Sequence, residues 1–199
     1  MTFDFSLDPF LHFTRLLDEA KSRGEPEYNA MSLATVGMDL KPSVRIVYFK
    51  GLVRGGLSFF CNYHSTKGKD IEQNNQVCLN FYYPKEWQQI RINGKAWKLT
   101  REENVAYFAT RHRLSQLGAW ASNQSQEIPG TEYFQRRLAE YEKSYENQEV
   151  PCPENWGGYH VIPDEFEFWS GKTGRLHERC IYQRQASGPT PWRTFMKAP

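Results

Sequence analysis

The sequence predicts a mainly β protein of the α+β type, an antiparallel barrel or sandwich with helices packed outside it. Short β-rich runs outnumber the helical segments and do not alternate one-to-one with them, which disfavours a doubly wound parallel sheet. The chain is polar, with a mean hydropathy of -0.72, yet 15% of its residues are aromatic. This combination indicates a sheet protein with ring-lined surfaces and not a disordered chain.

The length of 199 residues allows one domain or two small ones, and it suffices to bury a core without disulfides or a structural metal. No repeat, low-complexity tract or interdomain linker divides the chain. We therefore expect a single domain over residues 1–199. Residues 1–25 would contribute a helix and residues 151–199 the carboxyl-terminal strands.

Capping signals predict where the helices begin. Asp8 followed by Pro9 is typical of a helix start, with Asp as the N-cap and Pro in the first turn. Thr100 and Glu103 form a capping-box pattern, which predicts a helix that runs toward Leu114. The other predicted helices cover residues 65–74 and 132–145, the latter with the apolar stripe Phe134, Leu138, Tyr141 and Tyr145.

Runs rich in β-branched and aromatic residues, separated by Gly, Pro, Asn and Asp, predict the strands. They are MSLATV (31–36), VRIVYFK (44–50), LSFF (57–60), VCLNFYY (77–83), QIRINGKAWKL (89–99), GGYHVI (157–162), FEFW (166–169), RCIYQR (179–184) and WRTFM (192–196).

Charge and composition exclude several classes of protein. Lys plus Arg number 25 and Asp plus Glu number 23, and this near balance argues against a general nucleic-acid coat. No apolar run approaches the length of a membrane helix, and the acidic start lacks the features of a signal peptide. We expect a cytoplasmic protein without a membrane or nucleic-acid partner. The four cysteines have no CxxC and no metal-ligand spacing, which predicts reduced structural thiols and no metal site.

Nucleotide-binding motifs are incomplete or absent. The run Gly171-Lys172-Thr173 looks like the end of a phosphate-binding P-loop, but Phe166 stands where that pattern needs a glycine. No GxGxxG occurs, so a Rossmann site has no support.

Several clusters of cationic and polar residues could bind anions. Tyr107, Arg111 and Ser115 are spaced i, i+4, i+8 in the helix that the capping box starts. Their polar tips would share one helix face and could cradle a phosphate group. The alternative is a solvated helix face with an ordinary surface arginine.

Two pairs of cations could also bind anions. Lys67 and Lys69 lie in the first turn of the helix over 65–74, where cations oppose the helix dipole, so this turn either binds an anion or tolerates two flexible lysines. Arg45 and Lys50 emerge on opposite faces of one strand. They could serve two anions, or they could protect an edge strand by their charge.

A fifth group lies near the carboxyl terminus. If residues 175–179 are extended, Arg175, His177 and Arg179 share one face close to Trp169 and could hold a flat anionic ring. His177 could equally be a structural histidine. Since no catalytic triad or metal cluster competes, the anion-binding groups together suggest two phosphate-bearing ligands and an organic cofactor that carries the chemistry.

Blocks of sequence that occur in one order along almost the whole chain carry a family resemblance. They are RIVYFK (45–50), FFCN and STK (59–67), IEQNNQV (71–77), YF, R and SQLGAW (107–120), NQS (123–125), and FW and RLHER (168–179). In these blocks the chain resembles the pyridoxine/pyridoxamine 5'-phosphate oxidase family. The resemblance implies an FMN-binding split β-barrel and a homodimer with FMN at the subunit interface.

The resemblance also implies roles for individual residues. Arg45 would be directed to the FMN phosphate, and Lys67 would be a second ligand of that phosphate. The full set of implied FMN contacts is Arg45, Ile46, Val47, Tyr48, Phe49, Lys50, Phe60, Cys61, Thr66, Lys67, Gln89, Gln124, Ser125, Trp169 and Arg179.

For the substrate, the resemblance implies a phosphate site and a ring site. Lys50, Tyr107, Arg111 and Ser115 would hold the phosphate, Arg175, Leu176 and His177 would lie over the pyridine ring, and Arg175 and His177 would be the catalytic pair. The implied reaction oxidises pyridoxamine or pyridoxine 5'-phosphate to pyridoxal 5'-phosphate with dioxygen as acceptor. It releases hydrogen peroxide, and ammonia from the amine.

Some positions depart from the family pattern. Thr66 stands where an arginine is common, which predicts a flavin affinity lower by about tenfold or more. Cys61 replaces a common threonine, and the ending Met196–Pro199 differs from the usual Arg-Leu-x-Pro. The chain begins almost at its first helix, without the basic, tyrosine-bearing segment usual in the family, so we expect altered substrate affinity.

Two other functions fit parts of the pattern. One is a sister flavin oxidase that acts on another substrate, as in phenazine-forming relatives. The other is a non-enzymatic module that binds flavin or pyridoxal phosphate.

Overall fold

The computed structural model describes residues 3–187 and 190–199, and its strands join in one sheet in which every pairing is antiparallel. The strands are β1 (Ala30–Val36), β2 (Pro42–Tyr48), β3 (Leu52–Val53), β4 (Gly56–Asn62), β5 (Gln76–Tyr83), β6 (Gln88–Lys98), β7 (Trp156–Ser170), β8 (Glu178–Arg184) and β9 (Trp192–Met196). They neighbour one another in the order β2-β1-β5-β6-β7-β4-β3, with β8 beside β7 and β9 beside β8. The predicted antiparallel, mainly β architecture is confirmed.

Backbone hydrogen bonds between the two ends of this order curve the sheet into a barrel. Lys50 N donates to Ser58 O at 2.9 Å, and Ser58 N donates to Gly51 O at 2.9 Å. These bonds tie the chain after β2 to β4. The first half of β7 pairs with β4 and its second half with β8, so β8 and β9 extend the sheet beyond the barrel. This is the split β-barrel that the resemblance implied.

Helix α1 (Pro9–Ser22) packs its apolar face onto the barrel core. It begins as predicted, because the Asp8 carboxylate accepts a hydrogen bond from Phe10 N at 2.8 Å. Phe13 is fully buried, and its ring meets those of Phe49 and Phe81 edge-on, with centroids 5.2 Å away in each case. Such aromatic pairs contribute stability beyond the area that they bury.

The helix predicted from Thr100 toward Leu114 is wrong in its extent. The capping box at Thr100 is present, but helix α3 (Arg101–Ala109) ends at Ala109. A second helix, α4 (Arg113–Ala121), begins after a break. The Thr110 hydroxyl donates to Tyr107 O at 2.8 Å, and Thr110 N donates to the same carbonyl at 3.1 Å. These bonds satisfy the carbonyl that a continuing helix would have used, so the chain turns at Thr110.

A second apolar cluster lies under α3, α4 and α5 (Glu132–Ser144), next to the barrel. Three members of the predicted α5 stripe pack on this cluster, namely Leu138, Tyr141 and Tyr145. Phe134 departs from the stripe, since it is exposed and meets the Tyr133 ring. The buried residues of the cluster are Phe108, Leu117, Val150, Cys152 and Trp156.

The segment before β8 is not extended, so the alternation expected for residues 175–179 does not occur. Residues Thr173–Arg175 form a 3-10 turn in which Gly174 and Arg175 have φ values of 68° and 60°, in the left-handed region. Arg175 and His177 precede β8, whereas Arg179 lies within it. The three side chains therefore do not share one strand face.

The described residues contain no helix long and apolar enough to cross a membrane. Within residues 3–187 and 190–199, no group of three or more His, Cys, Asp or Glu side chains could hold a metal ion. All four cysteines are free thiols, and Cys61, Cys152 and Cys180 are buried.

Candidate functional site

An open cleft of about 920 Å³ lies where β2, β4 and the start of α2 (Thr66–Gln73) face the junction of α3 and α4. Alternation along β2 turns Arg45 and Val47 inward and Ile46 and Tyr48 outward, as predicted. The predicted site residues that line the cleft are Arg45, Ile46, Val47, Tyr48, Lys50, Phe60, Cys61, Lys67, Tyr107, Arg111, Ser115 and Gln124.

Arg45 is held against the sheet by side chains and a carbonyl. Its guanidinium donates to Leu33 O at 3.1 Å, to the Thr35 hydroxyl at 2.7 Å and to the Ser43 hydroxyl. The Asp70 carboxylate lies 3.9 Å away. Burial lowers the pKa of Arg45, which nevertheless remains a cation. Arg45 therefore presents a fixed positive charge to the cleft.

Lys67 lies in the first turn of α2 and is also buried. Its ammonium donates to Gln124 Oε1 at 2.8 Å and to the Ser65 hydroxyl at 3.2 Å. Burial lowers the pKa of Lys67, and the positive charge of Arg45 lowers it further. Two cations thus converge at the amino terminus of a helix, where an anion is favoured.

The α2 turn is shaped by its cap and by close backbone packing. Ser65, which is fully buried, caps the helix by accepting from Gly68 N. A Cβ atom at Gly68 would lie 2.1 Å from Tyr63 O, so only glycine fits there without a shift of the helix. Lys69 is exposed, and it does not line the cleft.

Cys61 lies in the same wall of the cleft. Burial raises the pKa of the Cys61 thiol to about 11, although the neighbouring Lys67 and Arg45 charges act to lower it. The side chain is therefore a neutral thiol at neutral pH and adds no negative charge to this wall.

Arg111 belongs to the turn between α3 and α4, and the structure buries part of its guanidinium. Arg111 Nη1 is buried without any hydrogen-bond partner, and the guanidinium lies 4.7 Å from the Trp156 ring centroid. Burial lowers the pKa of Arg111. An unpartnered buried donor is costly, so this atom indicates a place for an anionic acceptor.

An aromatic stack fixes the wall beside Arg111. The rings of Tyr107 and Phe60 are parallel to within 14° with centroids 3.8 Å apart, and Phe60 stacks on Trp156 at 5.2 Å. Tyr107 and Ser115 line the cleft on either side of Arg111 although they belong to different helices. The three predicted side chains therefore line one cleft, as expected. They do so from two helices and the turn between them, and not from one face of a continuous helix.

The other predicted residues form a second group away from the cleft. Gln89, Trp169 and Arg179 lie opposite one another on β6, β7 and β8, and thus form one row across the sheet. The His177 ring lies 4.9 Å from the Trp169 ring, and its Nδ1 accepts from Lys172 N at 3.1 Å. Arg175 and Leu176 are exposed beside them, and none of these residues lines the cleft.

Three predicted residues lie in neither group. Phe49 packs inside the barrel core, while Thr66 and Ser125 are exposed outside the lining of the cleft. Cleft residues that the sequence did not single out are Asn62, Thr110, His112, Gly118, Ala119, Ser122 and Trp156. Most of them lie within one or two positions of a predicted residue. Thr110 and His112 reach the cleft because of the helix break, and no glycine or proline in the sequence marks that break.

Two family models and several curated proteins match the chain. Residues 17–145 match the family model described as "Pyridoxamine 5'-phosphate oxidase", and residues 156–199 match "Pyridoxine 5'-phosphate oxidase C-terminal dimerisation region". A pyridoxine/pyridoxamine 5'-phosphate oxidase of Bdellovibrio bacteriovorus is 57% identical over 197 residues, 99% of this chain and 100% of that protein. One of Leptospira biflexa is 52% identical, over 89% of this chain and 84% of that protein.

Among solved structures, PhzG from Burkholderia lata in complex with tetrahydrophenazine-1-carboxylic acid is similar. Its TM-score is 0.89 at 29% identity, over 96% of this chain and 93% of that chain. The match over most of the chain and the high identity to the Bdellovibrio protein establish that the chain belongs to the pyridoxine/pyridoxamine 5'-phosphate oxidase family.

Proposed function

We propose that the protein is an FMN-dependent oxidase of pyridoxamine and pyridoxine 5'-phosphates. It converts the amine, dioxygen and water to pyridoxal 5'-phosphate, ammonia and hydrogen peroxide, and the alcohol and dioxygen to pyridoxal 5'-phosphate and hydrogen peroxide. The observation that carries this proposal is the unpartnered, buried Nη1 atom of Arg111, in the same cleft as a pair of cations, Arg45 and Lys67. Two anion-binding places suit one phosphate of the substrate and one of the cofactor.

The chain's own donors fit FMN. Arg45 and Lys67 would bind the FMN phosphate, and the amide of Gln124, now accepting from Lys67, would turn to the flavin. When bound, FMN supplies the two-electron oxidation and passes the electrons to dioxygen. The residues of the cleft would hold the two phosphates and set the distance between the reacting rings, which accounts for most of a protein's share in such chemistry.

The protein is a homodimer, consistent with the dimerisation region that residues 156–199 match. We place the cleft at its interface, where the partner subunit would bring the row of Gln89, Trp169 and Arg179 to the cleft. The outward face of β2 supports this arrangement, since Val44 is 64% exposed and Ile46 62% exposed beside the cleft. Apolar side chains exposed together on an edge strand indicate a covered surface.

His177 and Arg175 would then orient the pyridine ring. Because Lys172 N can only donate, His177 Nδ1 is the acceptor, and a neutral His177 carries its proton on Nε2. That N–H would offer a donor to a substrate oxygen, and Arg175 would add a positive charge from the adjoining turn. Neither side chain needs to act as a general base. We propose further that residues 1–199 act as one unit in the reducing cytoplasm, which suits the four free thiols.

An aerobic assay tests the activity directly. Protein loaded with FMN is mixed with pyridoxamine 5'-phosphate, and pyridoxal 5'-phosphate and hydrogen peroxide are measured together. Equal amounts of both products are expected. A flavin-loaded protein that forms neither would contradict the proposed activity.

The Arg111→Ala variant tests the phosphate site. Loss of a charge-assisted contact to a phosphate should raise KM for pyridoxamine 5'-phosphate by roughly 10- to 100-fold, while FMN affinity stays unchanged. Arg136→Ala is the matched control, because Arg136 is an exposed arginine on α5 with one weak ion pair. Unchanged kinetics in Arg111→Ala would refute the phosphate site and favour a substrate without a phosphate, such as the phenazine precursors of the sister oxidases.

A further inference from the structure

Glu167 is a buried carboxylate on the face of the sheet that carries the second group of predicted residues. It lies near the carboxyl-terminal end of β7, and its side chain is only 2% exposed. Its cross-strand neighbours are Arg91 on β6 and Ile181 on β8. A buried charge is retained only when it is paired and hydrogen-bonded, so its partners identify its role.

Two arginines hold this carboxylate. Arg179 donates to it from Nε at 2.7 Å and from Nη2 at 3.0 Å, in the two-point geometry that fixes a guanidinium plane. Arg91 Nη2 donates from the other side. Burial alone would raise the pKa of Glu167, but the hydrogen bond from Arg179 and the charge of Arg91 lower it below the ordinary value. The carboxylate is therefore ionised at neutral pH.

The ion pair with Glu167 leaves Arg179 with a defined set of free N–H donors. Nε and one N–H of Nη2 are used by Glu167, and one N–H of Nη1 is used by Ala198 O at 3.0 Å. A guanidinium has five N–H groups, so one on each terminal nitrogen remains. Both directions are fixed, because every nitrogen of Arg179 is already anchored.

Stability alone does not explain this arrangement. Buried ion pairs contribute little net stability compared with apolar residues of the same size. Arg91 alone already neutralises Glu167, so the second arginine is not needed for charge balance. What the two-point bond adds is the orientation of Arg179.

We propose that Glu167 is a positioning residue that aims the two free N–H groups of Arg179 at the FMN bound by the partner subunit, with Arg91 fixing Glu167 from behind. This inference rests on the proposed function, since Arg179 is a flavin contact only by family resemblance.

The test is a fluorescence titration of FMN against the dimeric apoprotein. Glu167→Gln keeps the shape but loses the charge, and its Kd for FMN should rise about tenfold. The matched control is Glu165→Gln, two residues away on the same face, whose partners are Lys197 at 3.5 Å and Asn93 at 3.3 Å. Its Kd should change less than threefold. Glu167→Asp keeps the charge and should recover part of the affinity, and it also serves if Glu167→Gln does not fold.

A double-mutant cycle separates positioning from a structural role. Arg179→Met should weaken FMN binding, and Glu167→Gln added to it should cause no further loss, because Glu167 acts through Arg179. The inference would be overturned if Glu167→Gln weakened FMN binding in the Arg179→Met protein as much as it does in the wild type. It would also be overturned by a Glu167→Gln dimer that binds FMN as the wild type does while Arg179→Met binds it weakly. Failure of the wild-type protein to bind FMN would instead refute the proposed function itself.

Discussion

Lys67 and Arg111 are the two residues in which the cleft departs most from an ordinary protein surface. Burial lowers the pKa of both side chains, which means that each charged form lacks part of the solvation it would have in water. At the proposed phosphate sites a bound anion would compensate for that loss. The alternative of an ordinary surface arginine at position 111 does not hold, because one of its terminal nitrogens is buried without a partner.

The pH dependence of FMN binding should report the Lys67 ammonium. Its pKa lies below the ordinary 10.5, so in the free protein Lys67 loses its proton at a lower pH than an exposed lysine. At the proposed site FMN would bind the charged form of Lys67. We therefore expect its affinity to be level near neutral pH and to fall as the pH rises through the lowered pKa of Lys67, with proton uptake on binding in that range.

Lys67→Arg and Lys67→Met are the controls for this prediction. An arginine stays charged over the whole pH range, so the affinity of the Lys67→Arg variant for FMN should follow only the titration of free FMN. The methionine variant should bind weakly at all pH values. Titration curves for the wild type and Lys67→Arg that coincide up to pH 10 would show that Lys67 does not contact the phosphate.

At the scale of elements, the sequence predicted the starts of α1, α2 and α3 but not the break that ends α3 and begins α4. Asp8, Ser65 and Thr100 are caps that bond to the backbone within three residues, so their signal is local. The end of α3 is set by the Thr110 hydroxyl and by the burial of Arg111 against Trp156, a residue 45 positions further along the chain (156 − 111). A contact of that kind leaves no local signal, so the helix was predicted to continue.

Gly68→Ala tests how closely α2 must approach the barrel. The added Cβ would lie 2.1 Å from Tyr63 O and 2.6 Å from Tyr63 C, which are backbone atoms that do not yield easily. We expect a stability loss of about 1–3 kcal/mol. This corresponds to a Tm lower by about 3–10 °C. FMN affinity should fall as well, since a shifted helix moves Lys67 away from Arg45.

Gly118→Ala is the control for the stability effect of this substitution alone, because Gly118 lines the cleft. Gly118 lies inside α4 with open space around its Cα, so alanine there should stabilise the helix by about 0.5–1 kcal/mol. A Gly68→Ala protein with the Tm and FMN affinity of the wild type would show that α2 tolerates displacement.

At the scale of the whole molecule, the sequence supplied a list of candidate site residues but not their distribution in the fold. Alternation along β2 and the antiparallel sheet were predictable, because they follow from short-range patterns. The division of the candidate residues into a cleft and a separate row on β6, β7 and β8 was not. It depends on β7, whose two halves pair with different strands, and pairings between residues far apart in sequence have no local signature.

Mixed dimers test whether one cleft uses both subunits. If Arg111 of one chain and His177 of the partner subunit serve the same substrate, Arg111→Ala and His177→Ala homodimers are each defective at both clefts. A heterodimer of the two chains has one cleft with both substitutions and one with neither. Random assembly makes half of all dimers heterodimers, so co-expression should restore about a quarter of wild-type activity at low substrate concentration. A chain that builds its cleft alone would show no restoration, because every cleft would carry one substitution.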